Sequence, residues 1–413
     1  MGNRNSFLEK IRPLMVWGVG DLYFILSVTV TIIFGVLSSD LQNQLHLTEA
    51  QLGLASFAFF LSYGTTQLLI GGLIDSWGPR IVLTLFAGAA AFGLFLLSTA
   101  QNFTDIIIAQ IIIGIGFSPS YVGAIYLASM WFSKERFSLF SGITQMSANI
   151  VSASFILVMA LAGAVTVNFR DIMYSFALAT LVIGALALLI VRTTIKINPE
   201  KTSDQKETSL WKNLYNLLHI PQFWLGALYF STNFSVFLAF SSLWNVPDSL
   251  AYGHNLQTAS LLSSTLRFGG ALGAVISGII ASRIGRCSIL TKWNSTGALL
   301  LSLILIYGPV YPLPLVFFIF ACLGFFFGGT VLGFPLVGQY IPDSLKGTGF
   351  GLMTASGYLL SALLQYVTGA LLGSPDTMSS PETVYIFKIA LTPLVIMLSI
   401  GCFCTFWLRD RTK

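Results

Sequence analysis

The chain has 413 residues, of which 55% are hydrophobic and 9% are charged. Ordinary soluble domains carry roughly 25% charged residues, and a soluble fold of this length could not hide so much apolar surface. The composition therefore excludes an ordinary soluble protein and indicates that the lipid bilayer is a partner of the chain.

Apolar runs of membrane-spanning length follow one another along the chain. A helix needs about 20 apolar residues to cross a bilayer. Because the runs are continuous rather than alternating, and too long for tilted strands, they predict helices and not a barrel. Twelve such runs are present, at residues 14–37, 50–71, 81–100, 104–130, 139–163, 171–192, 222–243, 258–281, 288–308, 313–338, 348–372 and 383–408.

The lysine and arginine residues predict how these helices are oriented. With the first residue placed inside, all but three of the 21 basic residues fall on the inner side, the three being Arg170, Lys388 and Arg267. This bias predicts a multi-pass protein of the cytoplasmic (inner) membrane with both termini in the cytoplasm. It also accounts for the net charge of +5, so no nucleic-acid partner is expected.

A short motif of glycines and charges occurs twice, half a chain length apart. It reads GGLIDSWGPR at residues 71–80 and GIIASRIGR at residues 278–286. Recurrence between membrane-length segments predicts an internal duplication. We expect an N-terminal six-helix bundle at residues 1–192, a cytoplasmic linker at 193–221 and a C-terminal six-helix bundle at 222–413.

These features resemble the major facilitator superfamily over nearly the full chain. The family's loop between helices 2 and 3 reads Gly-x-x-x-Asp-(Arg/Lys)-x-Gly-(Arg/Lys)-(Arg/Lys). The second copy matches less well than the first, because Ser282 replaces the acid. The resemblance implies an all-α membrane protein with twelve transmembrane helices in two pseudo-symmetric six-helix halves. The matching positions are Gly71, Asp75, Gly78 and Arg80 in the first copy, and Gly278, Arg283, Gly285 and Arg286 in the second.

The resemblance also implies that Asp75 and Arg80 help to latch the cytoplasmic side in the outward-facing state. Glycines let helix ends approach closely, and an acid beside a helix N-terminus is favoured by the helix dipole. Alternatively, these charges only end a helix and set the topology. The residues expected to take part in gating are Gly71, Asp75, Gly78, Arg80, Arg283 and Arg286.

Two departures from the family's patterns bear on the mechanism. Many proton-coupled members carry Arg-x-x-x-Gly-x-Gly in helix 4, whereas this chain has Gln110 at the arginine position. Residues 142–149 in helix 5 contain no proline, unlike the Gly-Pro-rich element of drug/proton antiporters. Both departures argue against multidrug efflux and favour the anion- and metabolite-importing branches.

Arg267 is the clearest candidate for a binding residue. An ionisable residue inside the membrane is costly and is a functional candidate by default. At about 1.5 Å per residue, Arg267 lies roughly 13 Å below the outer end of predicted helix 8. Its planar guanidinium suits a carboxylate or phosphate, so we expect it to bind an anionic group of the cargo. Alternatively, it pairs with Asp21 or extends towards the outer surface.

Asp21 is the candidate for proton coupling. It lies roughly 10 Å from the inner end of predicted helix 1 by the same rise per residue. Burial raises the pKa of a carboxyl, whereas a neighbouring arginine lowers it, and a proton-coupling site needs both effects. Alternatively, Asp21 supports an inner gate through a basic loop residue or a backbone donor.

Further polar side chains could complete a substrate cavity, because they lie on helices 4, 5, 7 and 11, which line the cavity in this family. Each could equally form a hydrogen bond between helices. They are Gln110, Tyr121, Gln145, Asn149, Tyr229, Asn233, Tyr358 and Gln365.

The sequence therefore predicts a secondary active transporter that moves a small organic anion or zwitterionic metabolite by alternating access, with proton symport through Asp21. We expect a monomer without a cofactor. An enzyme is not expected, because the chain has no nucleotide-binding glycine loop and no metal-ligand cluster. Two alternatives remain: an exporter of drugs, siderophores or metabolites, and a membrane receptor or scaffold that does not transport.

Overall fold

The computed structural model describes residues 2–132, 134–161, 168–191, 217, 219–342, 346–372 and 381–411. Within these ranges the regular elements are helices. Twelve of them are long and apolar enough to cross a membrane. The predicted all-α membrane fold is confirmed, whereas nearly all of the predicted linker at 193–221 lies outside the described residues.

The membrane-length helices are numbered α1 to α12 in chain order. We call α1 to α6 the first half and α7 to α12 the second half. Their bounds are α1 Ile11–Val36, α2 Glu49–Ile74, α3 Pro79–Thr99, α4 Phe103–Trp131, α5 Gly142–Leu161, α6 Phe169–Ile190, α7 Pro221–Ala251, α8 Leu256–Ala281, α9 Cys287–Tyr307, α10 Leu313–Gly338, α11 Gly349–Leu372 and α12 Thr383–Thr405.

Side-chain caps fix where several of these helices begin. Thr48 accepts a hydrogen bond from the backbone N–H of Gln51, whose side chain accepts one from the Thr48 N–H, so α2 starts with a capping box. Asn102 and Asn255 cap α4 and α8, because their side-chain oxygens accept from the backbone N–H groups of Asp105 and Thr258.

Both copies of the glycine motif form a turn at a glycine with positive φ. Gly78 has a φ of 79° and lies between the helix of α2, which continues to Trp77, and α3, which begins at Pro79. Gly285 has a φ of 70° and ends the helix of α8. Glycine adopts this conformation without the steric cost that a side chain would add. Both copies of the motif therefore end a helix at a glycine of positive φ, although ψ is 155° at Gly78 and 11° at Gly285.

Helix α7 extends further than the sequence predicted. The predicted apolar run ends at residue 243. That end was wrong, because a π-helical turn at Phe240–Trp244 leads into a further α-helical segment, Asn245–Ala251. Pro247 lies in the first turn of this segment, where a missing N–H is tolerated.

Hydrogen bonds between helix ends define the two faces of the bundle. Gln222 at the start of α7 donates to the carbonyl of Trp407, beyond the end of α12. We call this end of the bundle the terminal face. Arg170 at the start of α6 donates to the carbonyl of Ser98 near the end of α3, at the other end of the bundle. We call that end the opposite face.

Among the described residues, the main contacts between the two halves are those of α2 with α11, of α5 with α8, and of α1 with the π turn of α7. The tightest crossings lie towards the opposite face. A Cβ on Gly53 would lie 2.7 Å from the carbonyl oxygen of Gln365 and 3.1 Å from Cα of Gly369. A Cβ on Gly35 would overlap the carbonyl oxygen of Ser242.

Glycines of the same helices near the terminal face have open space around them. A Cβ built on Gly71, Gly142 or Gly351 would meet nothing within 4 Å. In the described part of the bundle, the close crossings between the halves that involve glycines therefore lie towards the opposite face.

Candidate functional site

Arg267 lies on α8 at the contact between the two halves, with 2% of its surface exposed. Its Nη2 donates to Oγ of Ser241 in the π turn of α7 at 2.9 Å. Its Nη1 donates to Oδ1 of Asn149 on α5 in the first half at 3.4 Å. The ring of Phe237 lies 5.4 Å from the guanidinium carbon. The guanidinium thus connects three helices drawn from both halves.

The bonding of this guanidinium is incomplete. Its Nε is buried without a hydrogen-bond partner. The side chains that do contact it are neutral, and no ion pair joins it to a carboxylate in the part of the chain that the structure describes. A buried charge of this kind is costly unless it is paired. The site therefore has the electrostatics to accept an anion.

The structure does not show either alternative for Arg267. Asp21 is bonded elsewhere, because both of its carboxylate oxygens accept from Oγ of Ser147, at 3.0 and 3.1 Å. The guanidinium does not extend to a surface, since Asn149 and Ser241 hold it inside the bundle.

Helix α5 separates the carboxyl of Asp21 from the guanidinium of Arg267. Ser147 donates a hydrogen bond to Asp21, and Asn149 accepts one from Arg267. Ser147 and Asn149 are two residues apart on this helix. Residues two apart point to different sides of an α-helix. The two charged groups that the sequence singled out therefore contact one helix from different sides.

Aromatic residues form the neighbouring wall. The ring of Tyr358 on α11 lies 4.3 Å from the ring of Tyr63 on α2 and 5.2 Å from that of Phe234 on α7. The Tyr63 hydroxyl lies 3.5 Å from Oγ of Ser120 on α4. Tyr63 and Ser241 were not predicted from the sequence, because they carry no charge and so lack the signal that identified Arg267.

Two of the predicted glutamines lie near the π turn. Gln365 on α11 donates through Nε2 to Oγ of Ser242 at 2.9 Å. Gln110 on α4 lines a small cavity together with Phe34 and Ser242. The cavity has room for about one water molecule. Gln110 and Gln365 thus approach one site from the two halves.

Among the described residues, no hydrogen bond joins the guanidinium to the remaining predicted residues. Asn233 donates to Oγ of Ser295 on α9 at 3.3 Å, and the Tyr229 hydroxyl donates to the carbonyl of Gly329 at 3.2 Å. Both bonds join helices within the second half. Tyr121 on α4 packs on the ring of Phe24, with centroids 5.0 Å apart. Gln145 lies on α5, partly buried.

The residues expected to act in gating lie at the terminal face. Arg80 is partly buried with its Nε unpartnered, whereas Arg283 and Arg286 are exposed. Asp75 belongs to the helix of α2, but its side chain lies outside the described residues. A latch between these charges stays a prediction.

A family model described as Major Facilitator Superfamily matches residues 22–365. The chain therefore belongs to the Major Facilitator Superfamily. The predicted family resemblance is confirmed.

Several proteins of this family are similar in sequence. A probable nitrate/nitrite antiporter of Thermus thermophilus is 24% identical over 290 residues, 67% of this chain and 64% of the relative. A probable sulfoacetate transporter of Cupriavidus necator is 24% identical over 300 residues, 65% of each chain. The matched regions thus span about two thirds of the relatives' length. A probable L-galactonate transporter of Escherichia coli is 33% identical over 104 residues, 24% of this chain and 22% of the relative.

Solved structures share the fold at low sequence identity. The nucleoside transporter NupG has a TM-score of 0.68 at 14% identity and covers 96% of this chain and 99% of its own. A bacterial homologue of the human lysosomal transporter Spinster has a TM-score of 0.69 at 12% identity and covers 99% of this chain and 97% of its own. These structures match the fold of this protein over nearly its whole chain.

Proposed function

We propose that the protein is a secondary transporter that moves a small anion across a membrane by alternating access, with Arg267 as the ligand for the anion. The observation that carries the proposal is a buried guanidinium at the contact between the halves, held by neutral groups and without a carboxylate partner. Guanidinium stays charged and favours oxyanions with a planar array of acceptors.

The names of similar proteins agree with an anionic cargo. Nitrate, nitrite, sulfoacetate and galactonate are all anions, and each appears in the name of a relative. They share no carbon skeleton, so the common feature is a small charged oxygen-bearing group. We infer that the cargo carries such a group, as a carboxylate, a sulfonate or a small inorganic oxyanion, and that an organic anion or zwitterion satisfies this requirement.

Alternating access provides a way for this anion to move. Transporters with internal repeats bind near the bilayer midplane and rock the repeats around the site. Here the crossings at Gly35 and Gly53 close the bundle towards the opposite face. Separation at these crossings would open the site to that face, while approach of the halves at the terminal face would close the other side.

We further propose that Asp21 couples transport to protons and that the terminal face is cytoplasmic. Asp21 is buried, its two carboxylate oxygens accept from the Ser147 hydroxyl, and among the described residues no cation forms an ion pair with it. The bias of basic residues towards the terminal face supports the orientation. A monomer suffices for this mechanism, because the site is formed within one chain. The fold itself does not fix the direction of transport, so export remains the alternative.

Binding to the purified protein tests the role of Arg267. Thermal unfolding would be followed with sodium nitrate, acetate, methanesulfonate or phosphate, and with adenosine as a neutral probe. We expect at least one anion, and not adenosine, to raise the unfolding temperature. In Arg267→Ala the anion affinity should fall by about tenfold to a hundredfold, since a charged hydrogen-bond partner is lost.

Arg409→Ala is the matched control, because it removes an exposed arginine at the terminal face. It should keep the full response to the anion. Equal stabilisation of wild type and Arg267→Ala by the same anion would show that Arg267 does not bind it.

A further inference from the structure

One face of α11 carries a row of polar side chains that we call the polar track: Ser361, Gln365 and Thr368. Spacings of four and three residues place them on one side of the helix. All three are fully buried. Nevertheless, Oγ of Ser361, Oε1 of Gln365 and Oγ1 of Thr368 have no hydrogen-bond partner among the residues that the structure describes.

Trp244, the last residue of the π turn of α7, belongs to the same region. Its indole Nε1 is also buried without a partner. A Cβ built on Gly53 would lie 3.4 Å from Cζ2 of Trp244, and one on Gly369 would lie 3.2 Å from its Cη2. The indole therefore lies where α2 crosses α11, next to the polar track.

Four unpartnered polar groups, three on α11 and one on the π turn of α7, need an explanation. A buried hydroxyl, amide or indole N–H without a hydrogen bond costs free energy, and apolar residues would pack the same contact without that cost. Polar side chains inside membrane proteins face the protein interior or an aqueous path. These groups are suited to a state in which they meet water or a solute.

The polar track leads from the arginine site towards the opposite face. Gln365 donates to Ser242, and the preceding residue, Ser241, accepts from Arg267. Tyr358, one turn of α11 before Ser361, contacts Tyr63 across the two halves. From Tyr358 to Thr368 the helix rises about 15 Å.

We propose that the polar track and Trp244 line the half of the anion's path between Arg267 and the opposite face. When α2 separates from α11 at the crossing of Gly53 and Gly369, the two hydroxyls and the indole N–H become donors for a passing anion. Neutral donors attract an anion without the fixed charge that would trap it. The nature of the cargo rests on the proposed function, whereas the opening of the track to water does not.

Cysteine accessibility tests the opening of the track. In a variant whose four native cysteines are replaced, Ser361→Cys and Thr368→Cys would be made singly and reconstituted in liposomes. A membrane-impermeant cationic methanethiosulfonate is then added, and its attachment is followed by mass spectrometry. Leu363→Cys is the matched control, since Leu363 lies on the same helix with 49% of its surface exposed on the outside of the bundle.

We expect both track cysteines to be modified about tenfold or more faster than Leu363→Cys, because a thiol must be hydrated to ionise and react. Adding Gly53→Ala, which prevents the close crossing of α2 and α11, should speed the reaction further. Modification no faster than the control, with and without Gly53→Ala, would overturn the proposal and identify the track as static packing.

Contact with the anion is tested separately. Thr368→Val removes the hydroxyl at nearly constant volume, and Thr368→Ser restores it. Uptake of the anion found in the binding screen should fall in the first variant and recover in the second. Unchanged uptake in Thr368→Val would overturn the contact with the anion. Failure of the Arg267 proposal would leave the cysteine result unchanged, so the two proposals can fail independently.

Discussion

Nη1 of Arg267 on α8 donates to Oδ1 of Asn149 on α5 at 3.4 Å, which joins the two halves of the bundle at a buried cation. The partner is an amide, although a carboxylate of the same size would neutralise the guanidinium. An amide satisfies one donor and leaves the charge available. An asparagine at this position therefore leaves a site that can bind an anion transiently, whereas an aspartate would form a permanent ion pair.

Asn149→Asp should therefore convert the site into a closed ion pair. The introduced carboxylate would compete with the anion for the guanidinium, so the anion affinity should fall by about tenfold or more while the protein without anion becomes more stable. Thermal unfolding with and without the anion measures both effects. Undiminished stabilisation by the anion in Asn149→Asp would contradict binding at Arg267.

Gly35→Ala should destabilise the state described here. The added Cβ would overlap the carbonyl oxygen of Ser242, and backbone on both sides leaves little room to adjust. We expect a lower unfolding temperature and faster modification of the Thr368→Cys thiol. Gly88→Ala is the control, because a Cβ there meets nothing within 4 Å. It should be neutral or stabilising by about 0.5–1 kcal/mol, since alanine favours a helix. Equal behaviour of the two variants would count against a tight crossing at Gly35.

Asp21→Asn should abolish accumulation of the anion driven by a pH gradient in proteoliposomes. It should leave binding of the anion nearly unchanged, because Asp21 bonds Ser147 and α5 separates it from Arg267. Binding is read from thermal unfolding and accumulation from a labelled anion. Full pH-driven accumulation in Asp21→Asn would show that another group, or no proton, couples transport.

Asp410 should make the stability of the terminal face depend on pH. Its carboxylate accepts from the backbone N–H groups of Cys287 and Ser288, at 2.9 and 3.1 Å, and from the Ser288 hydroxyl, so it caps α9. Burial alone would raise the pKa of Asp410, but the hydrogen bonds from Ser288 and Cys287 hold it below the ordinary value of 3.8.

A lowered pKa in the folded protein stabilises it above the ordinary pKa, and this stabilisation is lost as the pH falls through the folded value. At pH 7, Asp410→Asn removes a negative charge at the start of α9 and should therefore be less stable than wild type by about 0.3–1 kcal/mol, towards the low end because Asp410 is partly exposed. The difference should shrink as the pH falls below 4, as followed by thermal unfolding. A difference that is the same at pH 7 and at pH 3 would exclude the carboxylate as its source.

The sequence was sufficient to predict the helices and the burial of Arg267. Apolar length alone determines whether a segment spans a bilayer, and a charge within such a segment is conspicuous. The partners of the guanidinium could not be predicted in the same way. Ser241 is one serine among many in apolar helices, where the hydroxyl commonly bonds its own helix. Its contact with Arg267 depends on the π turn, for which the sequence has no comparable signal.

The polar track was only partly predictable. Gln365 was a candidate because it is polar and lies on helix 11, which lines the cavity in this family, and Ser361 and Thr368 share its face by helical spacing. The sequence predicts this spacing. It does not predict that these side chains lack hydrogen-bond partners, because that depends on how α11 packs in the folded bundle. Asn233 shows the opposite case, since its amide is bonded within the second half.

The five residues of the π turn serve two contacts at once. Ser241 holds the guanidinium, and the carbonyl of the next residue meets α1 at Gly35. An anion that displaces Ser241 from Arg267 therefore acts on the backbone segment that seals the bundle. Binding of the anion and closure of the crossing between Gly35 and Ser242 are therefore thermodynamically linked, and such linkage is reciprocal. The factor by which closure changes the affinity for the anion equals the factor by which the bound anion changes the closure equilibrium.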